Sequence, residues 1–305
     1  MWDAVLSPEF FYSILRLTTP ILFATLAATI AAKSGIINMA LEGIMLFSAL
    51  FGVIFSSIFG SSWMGLLITV LLGGIIGFIL AFFVLKLKTD AIIAAIAINL
   101  VAAGGTVLLM LAFSGDRGNS ASIASFQTPR IPLPGIANIP FLGEVLSNHN
   151  ILTYLSLISV VVLHIVLYKT PLGLKIRAVG ENKDAAESVG ISSRKIQFIA
   201  LILSCALASI GGFFLSGGYM TKFTTNMTAG RGYIALAASA MGGNTPIGGF
   251  LVSLLFGTAQ ALANAMQLAS FPSEFAQMLP YLVTLVGLGV YSYRLMKKRE
   301  KLSGK

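Results

Sequence analysis

Apolar residues in this chain run in long blocks, and the polar residues are gathered between them. A bilayer core of about 30 Å takes about 20 apolar residues of helix to cross. Nine blocks approach that length: residues 14–32, 36–59, 63–85, 91–113, 151–168, 197–216, 233–241, 248–267 and 275–293. The pattern predicts an all-α integral membrane protein, a polytopic bundle of about nine (eight to ten) transmembrane helices forming one transmembrane domain over residues 1–305. The seventh block is too short to cross unaided and runs into Gly242-Gly243-Asn244-Thr245-Pro246, a strong helix breaker. A broken or re-entrant helix is expected there, since irregular backbone survives at membrane depth only when buried in protein or lining a cavity.

Composition agrees: 56% of the 305 residues are hydrophobic and 10% charged, against about 25% charged in a soluble domain. The net charge of +9 does not point to nucleic acid, because the basic residues flank apolar blocks, where they set topology. If all nine blocks cross and the C-terminus is cytoplasmic, the outer side receives only Arg16, Arg117, Arg130, Lys222 and Arg231 of the 20 Lys and Arg. The N-terminus is then outside, and residues 294–305 form a basic cytoplasmic tail. The first nine residues carry no Lys or Arg, so the first block is expected to remain as a span rather than act as a cleaved signal. Cys205, the only cysteine, excludes an intramolecular disulfide.

Two hydrophilic stretches interrupt the blocks. Residues 114–149, with Pro129, Pro132, Pro134 and Pro140, are expected to form an external surface loop. Residues 169–195 mix charge with Leu172, Ile176, Val179, Ala185, Ala186, Val189 and Ile191 at intervals that mostly fit one helical face. Two short helices are expected there, broken near Gly180 and ended near Gly190.

No catalytic set is present: His149 and His164 have no Cys, Asp or Glu at ligand spacing, so no metal site is expected. A histidine inside a span is expected to hydrogen-bond a neighbouring helix. No phosphate-cradling Gly-rich loop occurs, so nucleotide would have to bind another subunit. Polar residues within the blocks carry more information. Glu42 is the one carboxylate well inside an apolar block, and Asn38, four residues earlier, would share its helical face. Gln260, Asn264 and Gln267 would form a stripe on the eighth block, and Asn99 lies inside the fourth. These groups either line a pathway or tie helices together by hydrogen bonds. Gly73 and Gly77 form a G-x-x-x-G that would let helices approach closely. A lone ion-coupled transporter would need intramembrane titratable groups, of which Glu42 is the only candidate, and a membrane-embedded enzyme would need a set the chain lacks.

The runs Ser34-Gly35-Ile36-Ile37-Asn38-Met39-Ala40-Leu41-Glu42-Gly43, Pro171 to Asn182 followed by Asp184 to Ile191, and Gly230-Arg231-Gly232-Tyr233-Ile234-Ala235-Leu236-Ala237-Ala238 together resemble the permease subunits of bacterial ABC importers. The similar family serves branched-chain amino acids, simple sugars and nucleosides, and the runs look most like the smaller nucleoside permease. The resemblance implies a bacterial cell-membrane protein that pairs with a second, related permease. It also implies a cytoplasmic ATPase that holds ATP and Mg, and an extracytoplasmic substrate-binding protein; this chain would bind no cofactor. It further implies a coupling loop within residues 169–195, with the ATPase contact centred on Glu181, Asn182, Asp184, Ala185, Ala186, Glu187, Gly190 and Ile191. A neutral, hydrogen-bonding nucleoside would be passed by amides and apolar surface, which suits Asn38, Asn99, Gln260 and Asn264, with Glu42 beside them.

Overall fold

The structure is a computed structural model that describes residues 7–133, 135, 141–268 and 273–302; for residues 142, 268, 273–277, 290, 294, 295 and 297–302 only the backbone is described. Helices dominate it: α1 (Pro8–Lys33), α2 (Leu41–Phe59), α3 (Ser62–Ala81, continued by a wider turn to Lys86) and α4 (Ala91–Ser114). Then follow the five-residue α5 (Leu142–Leu146), α6 (Ile151–Lys169), α7 (Pro171–Glu181), α8 (Lys183–Ser188) and α9 (Ser193–Phe213, continued to Tyr219). The chain closes with α10 (Arg231–Met241), α11 (Pro246–Leu268) and α12 (Ser273–Leu302). A two-residue antiparallel pair, β1 (Arg130–Ile131) with β2 (His149–Asn150), is a small addition to the all-helical expectation.

Among the described residues, seven helices are long and apolar enough to cross a membrane: α1, α2, α3 with its extension, α4, α6, α9 with its extension, and α11. The other two predicted segments differ. Helix α10 has 11 residues, about 16 Å at 1.5 Å per residue, and the apolar part of α12 spans only Met278–Tyr293.

Helix α1 is the hub. Some 89% of its most apolar window is buried, against 17% for α4, which lies at the edge of the bundle. Leu22, Leu26 and Ile30 of α1 pack on Leu163 and Leu167 of α6 and on Ala200 of α9, while Ile21 meets Ile234 of α10 and Phe256 of α11. The Gly73–Gly77 pair does what its spacing predicts: a methyl group at Gly73 would stand 2.7 Å from Ser209 Cβ, and one at Gly77 2.9 Å from Cys205 Cβ. Backbones of α3 and α9 can approach this closely only without side chains between them.

The predicted block 36–59 is helical only from Leu41. Gly35 sits at φ +83°, and the bonds Gly35 N to Ala32 O and Ile36 N to Ala31 O close α1 in a Schellman-type cap. Residues 36–40 then run irregularly into the bundle, reaching Ser204, eleven residues along α9 from Ser193. That is roughly 16 Å of helix rise, so α2 starts deep between its neighbours.

Among the described residues of 114–149 there is no long helix, as expected; Pro134 and Pro140 lie outside the described residues. The loop is pinned to residues 217–225: Phe223 N donates to Ser120 Oγ at 2.8 Å and Thr128 N to Gly217 O at 3.0 Å. Residues 169–195 fold into α7 and α8, but the break falls at Asn182, whose side chain accepts from Ala185 N and caps α8. Gly180 instead lies within α7, where a methyl group would collide with the Lys33 carbonyl. Gly190, at φ +83°, ends the second helix as expected. From residue 294 to Leu302 the predicted tail continues α12, and residues 303–305 lie outside the described residues.

Candidate functional site

The half-length helix α10 begins inside the bundle, and its first turn is held by Glu42. Glu42 Oε1 accepts from Gly230 N at 2.9 Å and Oε2 from Gly232 N at 2.7 Å. The first amides of a helix have no intrahelical partner and carry its positive dipole end. A carboxylate bridging two of them forms charge-assisted hydrogen bonds. Gly232 has to be glycine for this, since its Cβ would sit 2.6 Å from Glu42 Cα.

Asn99, on α4, completes the clasp. Its Oδ1 accepts from Gly43 N at 2.8 Å, and its Nδ2 donates to Met39 O at 2.9 Å and to Tyr233 Oη at 3.0 Å. One amide thus ties the irregular entry to α2, the first turn of α2 and the first turn of α10. Asn38 is close in sequence but not part of this clasp. Because it precedes α2, it does not share a helical face with Glu42; its Nδ2 turns to Ser204 Oγ at 3.0 Å and its Oδ1 accepts from Ala40 N at 3.1 Å. It is fully buried, whereas Glu42 and Asn99 are half-buried and Tyr233 is 47% exposed.

On the other side of the α10 entry lies a cavity of about 320 Å³, lined by Arg231, Gln260, Gln267 and Tyr281 with Ile234 and Pro280. Gln260 and Gln267 thus come together as the stripe predicts, while the half-buried Asn264 is not among the residues lining this cavity. Arg231 Nη1 donates to the carbonyls of Met227 (2.9 Å) and Thr228 (3.1 Å), and its buried Nε has no partner.

Of residues 181–190, only Ala186 is buried, against the cluster of Ile176, Val179 and Ile196. Glu181, Asn182, Asp184, Ala185, Glu187 and Gly190 are exposed, and Val189, expected on the apolar face, is 74% exposed. Ile191 packs partly into the same cluster.

Both histidines pack against aromatic rings. The His149 ring stacks on Tyr12 at 4.0 Å and its Nε2 lies 2.9 Å from Val145 O. Burial is the main force lowering its pKa; the Val145 carbonyl works against it, and the Arg16 and Arg130 charges add to the lowering. Contrary to the expectation, His164 makes no hydrogen bond to a neighbouring helix among the described residues; it packs on Tyr168 of its own helix, with ring centroids 4.8 Å apart, and its buried Nδ1 has no partner. Arg231, Tyr233 and Tyr281 are not among the site residues the sequence predicts: an arginine at a block end reads as a topological charge, and tyrosines are common within spans.

A protein-family profile described as "Branched-chain amino acid transport system / permease component" matches residues 10–288. The chain belongs to this permease family. Among its relatives, the nucleoside ABC transporter permease protein NupC of Lactococcus lactis is 31% identical over 90% of this chain and 89% of its own length. The guanosine ABC transporter permease protein NupQ of Bacillus subtilis is 30% identical over 88% of this chain and 87% of its own. A putative glucose ABC transporter permease protein of Haloferax volcanii is 30% identical over 83% and 74%. No solved structure matches. The family makes this permease a multi-pass membrane transport subunit rather than an enzyme.

Proposed function

We propose that this permease forms, with a second related permease, the membrane pathway of an ATP-driven importer for nucleosides. The observation that carries the substrate class is the similarity along nearly the whole chain to permeases named for nucleosides and guanosine. The chemistry is compatible. On the Glu42 side of the α10 entry stand an amide and a phenol, half-buried Asn99 and exposed Tyr233, joined at 3.0 Å. The carboxylate there among the described residues, Glu42, is already engaged by two backbone amides. A neutral solute needs such hydrogen-bonding groups and not a fixed charge.

In this reading Glu42, Asn99, Gln260 and Asn264 stand along the route, with Asn38 supporting the entry to α2. The nine crossings are the seven long helices, α12, and α10 together with the irregular residues 220–230. The N-terminus is outside and the C-terminus cytoplasmic in a bacterial cell membrane. Residues 169–195 dock on an ATPase that holds ATP and Mg, the exposed side of 181–190 making the contact. An extracytoplasmic binding protein delivers substrate to the opposite face.

The test is uptake of labelled nucleoside by cells carrying the complete transporter, competed with unlabelled nucleoside, ribose, glucose and leucine. Nucleosides are expected to suppress uptake and the others to leave it unchanged. Competition by a sugar or by leucine, without competition by nucleosides, would overturn the substrate class.

A further inference from the structure

A second cavity lies where helices end. It measures about 500 Å³, and its lining includes Lys33 at the end of α1, Tyr168 near the end of α6, Leu174, Arg177 and Glu181 of α7, and Asn244 just before α11. Helices α1 and α6 are both long and apolar enough to cross a membrane. A cavity between their last residues therefore stands where hydrocarbon gives way to headgroups and water. Its side chains suit that level. Tyrosine is enriched at membrane–water interfaces, and the Arg177 guanidinium lies over the Tyr168 ring, 4.8 Å from its centroid. Leu174 is 60% exposed, next to exposed Lys175, a pairing that acyl chains and headgroups cover together.

Both cations of this cavity keep donors open to a ligand. Among the described residues the Arg177 side chain makes one hydrogen bond, from Nε to Leu167 O at 2.9 Å. Its Nη groups and Lys33 Nζ have no protein acceptor among the described residues, and none of these atoms is buried. Two half-buried cations on one concave surface favour an anion between them. At this depth of a membrane the concentrated anion is the phosphodiester of a lipid. Its two free oxygens match the parallel donors of a guanidinium, with an ammonium as a further donor. Glu181 on the same wall leaves a single positive charge in excess, which complements a headgroup of one negative charge. Glu181 and Asn244 also accept from hydroxyl groups. A glycerol headgroup carries such hydroxyls, whereas choline carries none and leaves the lipid neutral.

We infer that this cavity is a binding site for an anionic phospholipid headgroup, with Lys33 and Arg177 holding the phosphodiester and Glu181 and Asn244 the headgroup hydroxyls. The inference rests on the membrane fold and is independent of the transported substrate. The probe is a photoactivatable phosphatidylglycerol, diluted into phosphatidylcholine nanodiscs that hold the complete transporter, with labelled peptides of this chain mapped by mass spectrometry. Label is expected on residues 168–178. Unlabelled phosphatidylglycerol is expected to displace it, while phosphatidylethanolamine and soluble glycerol phosphate leave it in place. Lys33→Gln and Arg177→Gln are each expected to lower this labelling about fivefold, the scale of one basic residue at an anionic membrane surface. Lys33 meets Gly180 through its carbonyl, so Lys33→Gln keeps that packing and decides the matter should Arg177→Gln fail to reach the membrane. Lys169→Gln and Lys175→Gln, at exposed positions outside the cavity lining, are expected to leave labelling unchanged. No label on residues 168–178 would overturn the inference, and so would an equal loss in all four variants, which marks diffuse attraction to lipid charge. Displacement by glycerol phosphate would assign the cavity to a soluble phosphate instead, and displacement by phosphatidylethanolamine would refute selection for an anionic lipid.

Discussion

At the scale of single residues, the decisive contact is between Glu42 and two backbone amides. A carboxylate has two acceptor oxygens and here uses one for each amide. A carboxamide keeps only one acceptor, so Glu42→Gln leaves one α10 amide unpaired, a cost of about 1–3 kcal/mol. The purified protein is expected to melt about 2–6 °C lower, with nucleoside uptake reduced in cells. A variant with unchanged melting and uptake would show that Glu42 does not hold α10. That Glu42 is special was legible from composition, because a carboxylate inside an apolar block is rare. Its partners were not legible, for Gly230 and Gly232 lie 188 and 190 residues away and present only backbone. Asn38 misled by its spacing: the four-residue interval presumed a helix that begins only at Leu41.

At the scale of elements, Gly180 and Glu181 are adjacent yet make opposite demands. Gly180 lets α7 lie against the end of α1, its Cα facing the Lys33 carbonyl and Gly35, while Glu181 is exposed. Gly180→Val is therefore expected to displace α7 and lower the amount of inserted protein several-fold on immunoblots. Glu181→Lys should leave that amount unchanged and abolish uptake. Loss of insertion in both variants, or normal uptake in Glu181→Lys, would refute the docking role of residues 181–190. The periodicity of residues 169–195 was enough to predict two short helices with Ile176 and Val179 inside. It put the break near Gly180, and the break lies two residues on: the missing side chain of Gly180 serves close packing within α7, and Asn182 supplies the cap of α8.

At the scale of the whole molecule, the edge helix α4 exposes Ile93, Leu100, Val101 and Leu108 at 63–70% of their surface. That is compatible with lipid or with a second permease against it. The proposed orientation can be checked simply, because Cys205 is the only cysteine and is buried. In a Cys205→Ala background, Ser188→Cys is expected to react with a membrane-impermeant maleimide only after the cells are opened, and Ser122→Cys in intact cells. The reverse pattern would invert the topology.

Block length and the scarcity of charge determined that this chain lies in a membrane as a helical bundle, because apolar helix length is a local property that hydrocarbon thickness selects directly. The Gly-Gly-Asn-Thr-Pro run also determined where the bundle holds a half-helix, since a breaker acts on its own neighbours. Only the tertiary structure decided what meets the open end of that helix. The match of Glu42 with Gly230 and Gly232, the Asn99 clasp, and the grouping of Arg231 with Gln260, Gln267 and Tyr281 all join residues far apart in the chain. Such contacts depend on how helices pack, and an apolar block written in sequence does not say which of its faces turns inward.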